Sequence, residues 1–201
     1  MVGDQLHGTL TPIGDSADAS PAEPEPVPEP VPEPTPLNVD RYRQDVHLAP
    51  GNKITVQFGP QDLDKELLID LLRHDDYDSK ERPLRFNFRG KSSGNYVDIN
   101  EKIIRDNGET KWGKSYKYYP KEGNMDDLFK DGATVEIEFK DQGVQLKING
   151  KNVNDGPDFE EKGDKRELGN WSYMDVLDLG NLPRFSIIDK IGKNIQHVNV
   201  E

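Results

Sequence analysis

From about residue 44 to the C-terminus, hydrophobic and polar residues alternate in short runs with a period of two. Lys53-Ile54-Thr55-Val56-Gln57-Phe58 and Thr134-Val135-Glu136-Ile137-Glu138-Phe139-Lys140 are the clearest, followed by Val144-Gln145-Leu146-Lys147-Ile148. Such alternation predicts strands with one face in a core and one in water. Further strands are expected at Glu66–Leu72, Leu84–Arg89, Tyr96–Asn100, Ser115–Tyr119, Met174–Leu179 and Arg184–Ile188. Residues 62–72 would also suit a short helix on composition, and strand is preferred there. Turn signals separate the runs: Pro50-Gly51, Phe58-Gly59-Pro60, Asn107-Gly108, Asp131-Gly132, Asn149-Gly150 and Gly156-Pro157. Asp141-Gln142-Gly143 reads as a hairpin turn. No segment has the periodicity of an amphipathic helix. The expectation is an all-β protein, an antiparallel β-sandwich of two packed sheets.

Upstream the pattern breaks. Pro21-Ala22-Glu23-Pro24-Glu25-Pro26-Val27-Pro28-Glu29-Pro30-Val31-Pro32-Glu33-Pro34 is close to a tandem Glu-Pro-Val-Pro repeat. Proline at nearly every second position removes backbone donors and fixes φ, so neither helix nor sheet can propagate. An extended polyproline II spacer is expected, stiffened by repulsion between glutamates. Residues 1–40 are therefore assigned to a disordered, acidic, Pro-rich tail and 41–201 to one folded domain. The tail reads as a linker or as a partner-binding segment. No Lys or Arg flanks its Pro-x-x-Pro spacings, which disfavours an SH3 ligand.

Charge sharpens this division. The chain of 201 residues carries a net charge of -12. Residues 1–38 hold nine of its fifteen prolines and seven acidic residues with no Lys or Arg. The remainder has 26 basic and 31 acidic residues, an ordinary balance for a soluble domain. The absence of a basic run argues against nucleic acid as a partner. No apolar run reaches the roughly 18–20 residues of a membrane span, and the first residues lack the pattern of a secretory signal. Without cysteine, the chain has no disulfide, thiolate metal site or Cys nucleophile.

Candidate chemistry lies on the polar faces. In Arg85-Phe86-Asn87-Phe88-Arg89 the aromatics face the core, which leaves Arg85, Asn87 and Arg89 side by side on the open face. Guanidinium forks and an amide suit a ligand dense in hydroxyls, a sugar, although the same row serves as a plain solvated strand face. Val97-Asp98-Ile99-Asn100 places Asn100 on such a face too. Trp112, between Lys111 and Gly113, is expected to be partly exposed and able to stack on a pyranose; a core or edge position is the alternative.

These residues and their order resemble the galectin carbohydrate-recognition domain, over the stretch from about residue 44 to the end. Leu48-Ala49-Pro50-Gly51 is similar to the family's opening Leu-x-Pro-Gly. Arg85-x-Asn87-x-Arg89 is similar to its His-x-Asn-x-Arg, and Val97-Asp98-Ile99-Asn100 to its Val-x-x-Asn. Trp112-Gly113-Lys114-Ser115-Tyr116-Lys117 is similar to its Trp-Gly-x-Glu-x-Arg. The resemblance implies a jelly-roll sandwich of galectin/concanavalin-like type and a non-catalytic lectin without cofactor or metal. Glycans or glycoproteins and glycolipids would be its partners, β-galactosides or related, including anionic, glycans its ligands. It further implies a cytoplasmic location, or an extracellular one reached by unconventional secretion. The carbohydrate-binding set carried over is Arg85, Asn87, Arg89, Asn100, Trp112, Ser115 and Lys117.

Three of these depart from the family. Arg85 replaces the His that reads a galactose hydroxyl, Ser115 the Glu that orients neighbouring arginines, and Lys117 the final Arg. Arg85, Arg89 and Lys117 are then expected to lack their usual counter-charge, and Lys does not reproduce an Arg fork. Altered or weakened lactose binding is expected, with a preference for sulfated or sialylated glycans. The competing reading is a galectin-like domain that has lost galactoside binding and serves as a protein–protein interaction module. The tail resembles the position, though not the composition, of the tails of chimera-type galectins, so weak self-association is a further expectation.

Other chemistries fit less well. Glu136, Glu138 and Asp141 only approximate the carboxylate pattern of sandwich-fold glycoside hydrolases. Asp62/Asp64, Asp75/Asp76/Asp78 and Asp126/Asp127 lack a calcium-loop register, and His7, His47, His74 and His197 lack paired ligand spacing. Asn170-Trp171-Ser172 is a formal glycosylation sequon.

Overall fold

A computed structural model describes residues 37, 39–72, 82–104, 107–140, 143–154, 156–162, 184–189 and 194–201. The proline repeats, the expected strand Met174–Leu179, the sequon at Asn170, the cluster at Asp75 and residues His7, His74 and Asp141 lie outside them.

The elements in order are β1 (Arg41–Asp45), β2 (Lys53–Phe58), β3 (Leu67–Leu72), β4 (Arg82–Arg89), β5 (Tyr96–Ile104) and β6 (Thr110–Pro120). They continue with α1 (Met125–Phe129), β7 (Ala133–Lys140), β8 (Gly143–Ile148), β9 (Lys151–Asn152), β10 (Phe159–Glu161), β11 (Arg184–Asp189) and β12 (Ile195–Val200). They form two antiparallel sheets. One has seven strands in the order β1-β11-β3-β4-β5-β6-β10, the other five in the order β12-β2-β7-β8-β9. The protein is an antiparallel β-sandwich.

Alternation explains the core. Ile54, Val56 and Phe58 of β2 and Val135, Ile137 and Phe139 of β7 point inward from one sheet. Leu67, Ile69 and Leu71 of β3, Leu84, Phe86 and Phe88 of β4, and Val97 and Ile99 of β5 meet them from the other. Burying each such side chain contributes about 1.5–3 kcal/mol relative to exposure. Segment 67–72 is a strand, and every one of its residues is buried. Leu68, Asp70 and Leu72 are therefore covered on the face turned away from the core, unlike the half-exposed strands around them.

Four strands and a helix escape the sequence pattern. Edge strand β1 is polar along its length, and β9 and β10 are very short. In β12 the register shifts between Ile195 and His197, which breaks the alternation while Ile195, Val198 and Val200 still reach the core. Helix α1 lies in the stretch 120–130, for which no element is expected from the sequence. Its N-terminus is closed by a capping box between Asn124 and Asp127, and Phe129 lies 6.1 Å from Phe58 and 5.8 Å from Phe88 between ring centroids. The chain is already paired upstream of residue 41: Leu37 N donates to Gln196 O at 2.9 Å, and Val39 bridges to Ile195.

Candidate functional site

With Phe86 and Phe88 in the core, Arg85, Asn87 and Arg89 face outward from the seven-stranded sheet. Strand register sets their neighbours. Arg85 stands opposite Asn100, which stands opposite Ser115; Asn87 stands opposite Asp98, which stands opposite Lys117. Arg89 pairs with Tyr96, whose ring packs on Tyr119 at 5.3 Å. Three parallel rows thus cross β4, β5 and β6.

A fourth row exists because two strands bulge. Lys102 pairs with Trp112 while Asn100 pairs with Ser115, so two residues of β5 oppose three of β6. Trp112 and Ser115 are an odd number of residues apart and would face opposite ways in a regular strand; the bulge returns both to one face. β4 compensates in the same place, since Arg82 pairs with Lys102 and Arg85 with Asn100. The fourth row is Arg82, Lys102 and Trp112. The indole is 48% exposed, with Arg85 Cζ at 5.5 Å and Lys102 Nζ at 5.3 Å from its ring. The sequence places Trp112 outside its strand; in the structure β6 begins at Thr110 and contains it, and β5 continues past Asn100 to Ile104.

The expectation that Arg85 lacks a counter-charge is corrected. Asp70, fully buried on β3 and opposite Arg85, accepts from Arg85 Nε at 2.6 Å and from Nη2 at 2.8 Å. Arg82 Nε donates to the same carboxylate at 2.9 Å. Burial acts to lower the pKa of Arg85, but the hydrogen bond and charge of Asp70, with Glu66 and Asp98 adding, hold it above its usual value. Asp70 sits in a leucine-rich run, where sequence reasoning gave it no role.

A second carboxylate stands beside Ser115. Asp98 accepts from Ser115 Oγ at 2.6 Å and from Asn100 Nδ2 at 2.8 Å. A carboxylate only accepts, so the amide nitrogen of Asn100 must turn toward it, which turns Oδ1 away. Asn100 Oδ1, Asn87 Oδ1 and Arg89 Nε are all buried without a hydrogen-bond partner among the described residues, and each asparagine is 5% exposed. Leaving such an atom unpaired costs about 1–3 kcal/mol. Single atoms of Gln61, Asn152 and His197 share this state but are dispersed elsewhere in the fold. Arg89 and Lys117 form no ion pair among the described residues, and each lies over Tyr96, at 5.9 and 5.0 Å.

No protein-family description matches the sequence, and no curated protein matches it either. Solved structures do. A double-substituted human galectin-16 is similar with a TM-score of 0.54 at 16% identity, over 83% of this chain and 98% of that one. Sheep galectin-11 in complex with glycerol gives 0.51 at 16% identity, over 85% and 100%. The Caenorhabditis elegans galectin LEC-6 gives 0.50 at 13% identity, over 82% and 93%. The fold is galectin-like.

Within this galectin-like sandwich Glu136, Glu138 and Asp126 have structural partners. Glu136 lies 3.6 Å from Lys53 and Glu138 lies 3.9 Å from both Lys140 and Lys147, so these two carboxylates belong to a salt-bridged strand face of the other sheet. Asp126 is structural: its two oxygens accept from Leu63 N at 2.8 Å and Lys91 N at 2.6 Å. Among the described residues no cluster of His, Asp or Glu could hold a metal ion, and no helix is long and apolar enough to cross a membrane.

Proposed function

We propose that the outer face of the seven-stranded sheet binds carbohydrate without catalysis, as a lectin of galectin type. The observation that carries this reading is the return of Trp112, by the paired bulges, to the face that holds Asn87, Arg89 and Asn100. An exposed indole stacks on the apolar face of a pyranose, while the amides of Asn87 and Asn100 and the guanidinium of Arg89 line the same face and are of the chemistry that meets hydroxyls. Galectin neighbours support the fold, and the sheep galectin-11 structure is a complex with glycerol, a small polyol.

Arg85 plays a supporting part. Its fork is occupied by Asp70, so it buttresses the indole and has less to offer a ligand than a free arginine. Ligands are β-galactoside-containing or related glycans bound more weakly than a fully free donor set would allow. The test is retention on lactose-agarose together with a glycan array, with wild type and Trp112→Ala compared. Wild type is expected to bind at least one glycan class and Trp112→Ala to lose it. Absence of any glycan binding by wild type would leave the domain as a protein-interaction module, and binding unchanged in Trp112→Ala would move the site elsewhere.

A further inference from the structure

The chain contains two Asn-Gly pairs, Asn107-Gly108 between β5 and β6 and Asn149-Gly150 between β8 and β9. An asparagine followed by glycine can close on the peptide nitrogen of its neighbour, because glycine has no side chain to shield that nitrogen and its backbone bends freely. The two glycines are alike. Gly108 has φ 78° and Gly150 φ 76°, and a side chain at either position would meet open space. The asparagines differ. Asn149 is held at both atoms of its amide: Oδ1 accepts from Thr134 N at 2.9 Å and Nδ2 donates to Leu128 O at 2.7 Å. These bonds tie the turn to β7 and α1, and both must break before Cγ can swing onto Gly150 N. Asn107 is exposed, and among the described residues its side chain is tied only to Glu109. Oδ1 accepts from Glu109 N at 3.1 Å and Nδ2 donates to Glu109 Oε2 at 2.9 Å. The first bond closes a local turn that folds the amide back over the following peptide. It also sets a backbone donor on the oxygen that gains negative charge as a ring closes.

We propose that Asn107 is a site of spontaneous deamidation, and that the fold protects Asn149 from the same reaction. Gly108 N forms a bond to Asn107 Cγ, the Cγ–Nδ2 bond breaks, and ammonia departs with the proton that Gly108 N gives up through solvent. Water then opens the succinimide at one or other carbonyl, leaving aspartate or isoaspartate. The reaction consumes only water and needs no enzyme. Either product adds a negative charge at the tip of the β5–β6 hairpin. It sets a carboxylate beside Glu109 where an amide donor stood. Isoaspartate also routes the main chain through the side-chain carbon, which lengthens the turn immediately before β6, the strand that carries Trp112.

The full chain is incubated at mildly alkaline pH and body temperature, sampled over days and digested for peptide mass mapping, with aspartate and isoaspartate peptides separated by chromatography. A parallel sample is held in guanidinium chloride. In the folded chain Asn107 is expected to convert about tenfold or more faster than Asn149, the factor expected from the two hydrogen bonds that Asn149 must break. In denaturant the hydrogen bonds are gone and the two rates should come together. Melting curves taken during the incubation show that the folded sample stays folded. Equal rates in the folded chain, or faster conversion of Asn149, overturn the proposal. A difference of the same size that persists in denaturant overturns it too, because local sequence and not the fold then sets the rate. An Asn107 that stays intact in the folded chain overturns it outright.

Discussion

The two ends of the polar face are built from the same materials, an aromatic ring with cations around it, yet they settle their charges differently. At the Trp112 end two arginines converge on Asp70, which has no exposure to water. Taking a carboxylate and two guanidiniums out of water is costly, and the cost is offset only by good geometry, here a two-pronged contact at 2.6 and 2.8 Å plus a third donor. At the Tyr96 end the cations remain partly exposed and rely on the ring and on solvent. Apart from Lys102 over the indole, the cations of the first end belong to a finished piece of internal structure. The other keeps unspent electrostatic potential, and only such a surface can gain from meeting an anion.

Breaking the finished end should have the largest effect on stability. Asp70→Ala removes the buried carboxylate that Arg82 and Arg85 share, and a loss of about 3–5 kcal/mol is expected in denaturant unfolding. A change below about 1 kcal/mol would mean that Arg82 and Arg85 swing out to water and that the pair is dispensable. Ser115→Ala tests the boundary between the two ends. It removes one of the two side-chain donors to Asp98, with an expected cost of about 1–2 kcal/mol, and glycan affinity should fall as Asn100 loses its fixed orientation. Lys117→Gln should have the smallest effect, within about 0.5 kcal/mol of wild type and on the stabilising side if repulsion from Arg89 is felt. In the same melts, added sulfate should raise the midpoint of wild type more than that of Lys117→Gln; equal shifts would show that no anion is held at Lys117.

Much of this was legible along the chain. Phe86 and Phe88 flanked by Arg85, Asn87 and Arg89 define a strand, its inner face and its outer side by alternation alone. The rule fails where a strand changes phase. Trp112 and Ser115 have opposite parity, and nothing in the residues between them announces the bulge that reunites them. β12 fails to read for the same reason, and β1 because an edge strand protects itself with charge, so that its polarity resembles a loop. Asp70 was illegible for a different cause. Inside Leu67-Leu68-Ile69-Asp70-Leu71-Leu72 a carboxylate looks like an interruption, and its meaning comes from Arg82 and Arg85, which follow later in the chain and meet it only through strand pairing. The contact of Ser115 with Asp98 is likewise a cross-strand fact. Spacing within one motif does not carry it.

The paired bulges also set how this face can change over evolutionary time. Substitutions on this face adjust it by degrees. Chain length between Trp112 and Ser115 acts as a binary setting. Removing a single residue there would rotate the indole by half a strand period and direct it at the packed interior, while the tyrosine end kept its place. A deletion too small to disturb the fold's outline would thus uncouple the two ends, and an insertion of the same size in a relative lacking the bulge would join them.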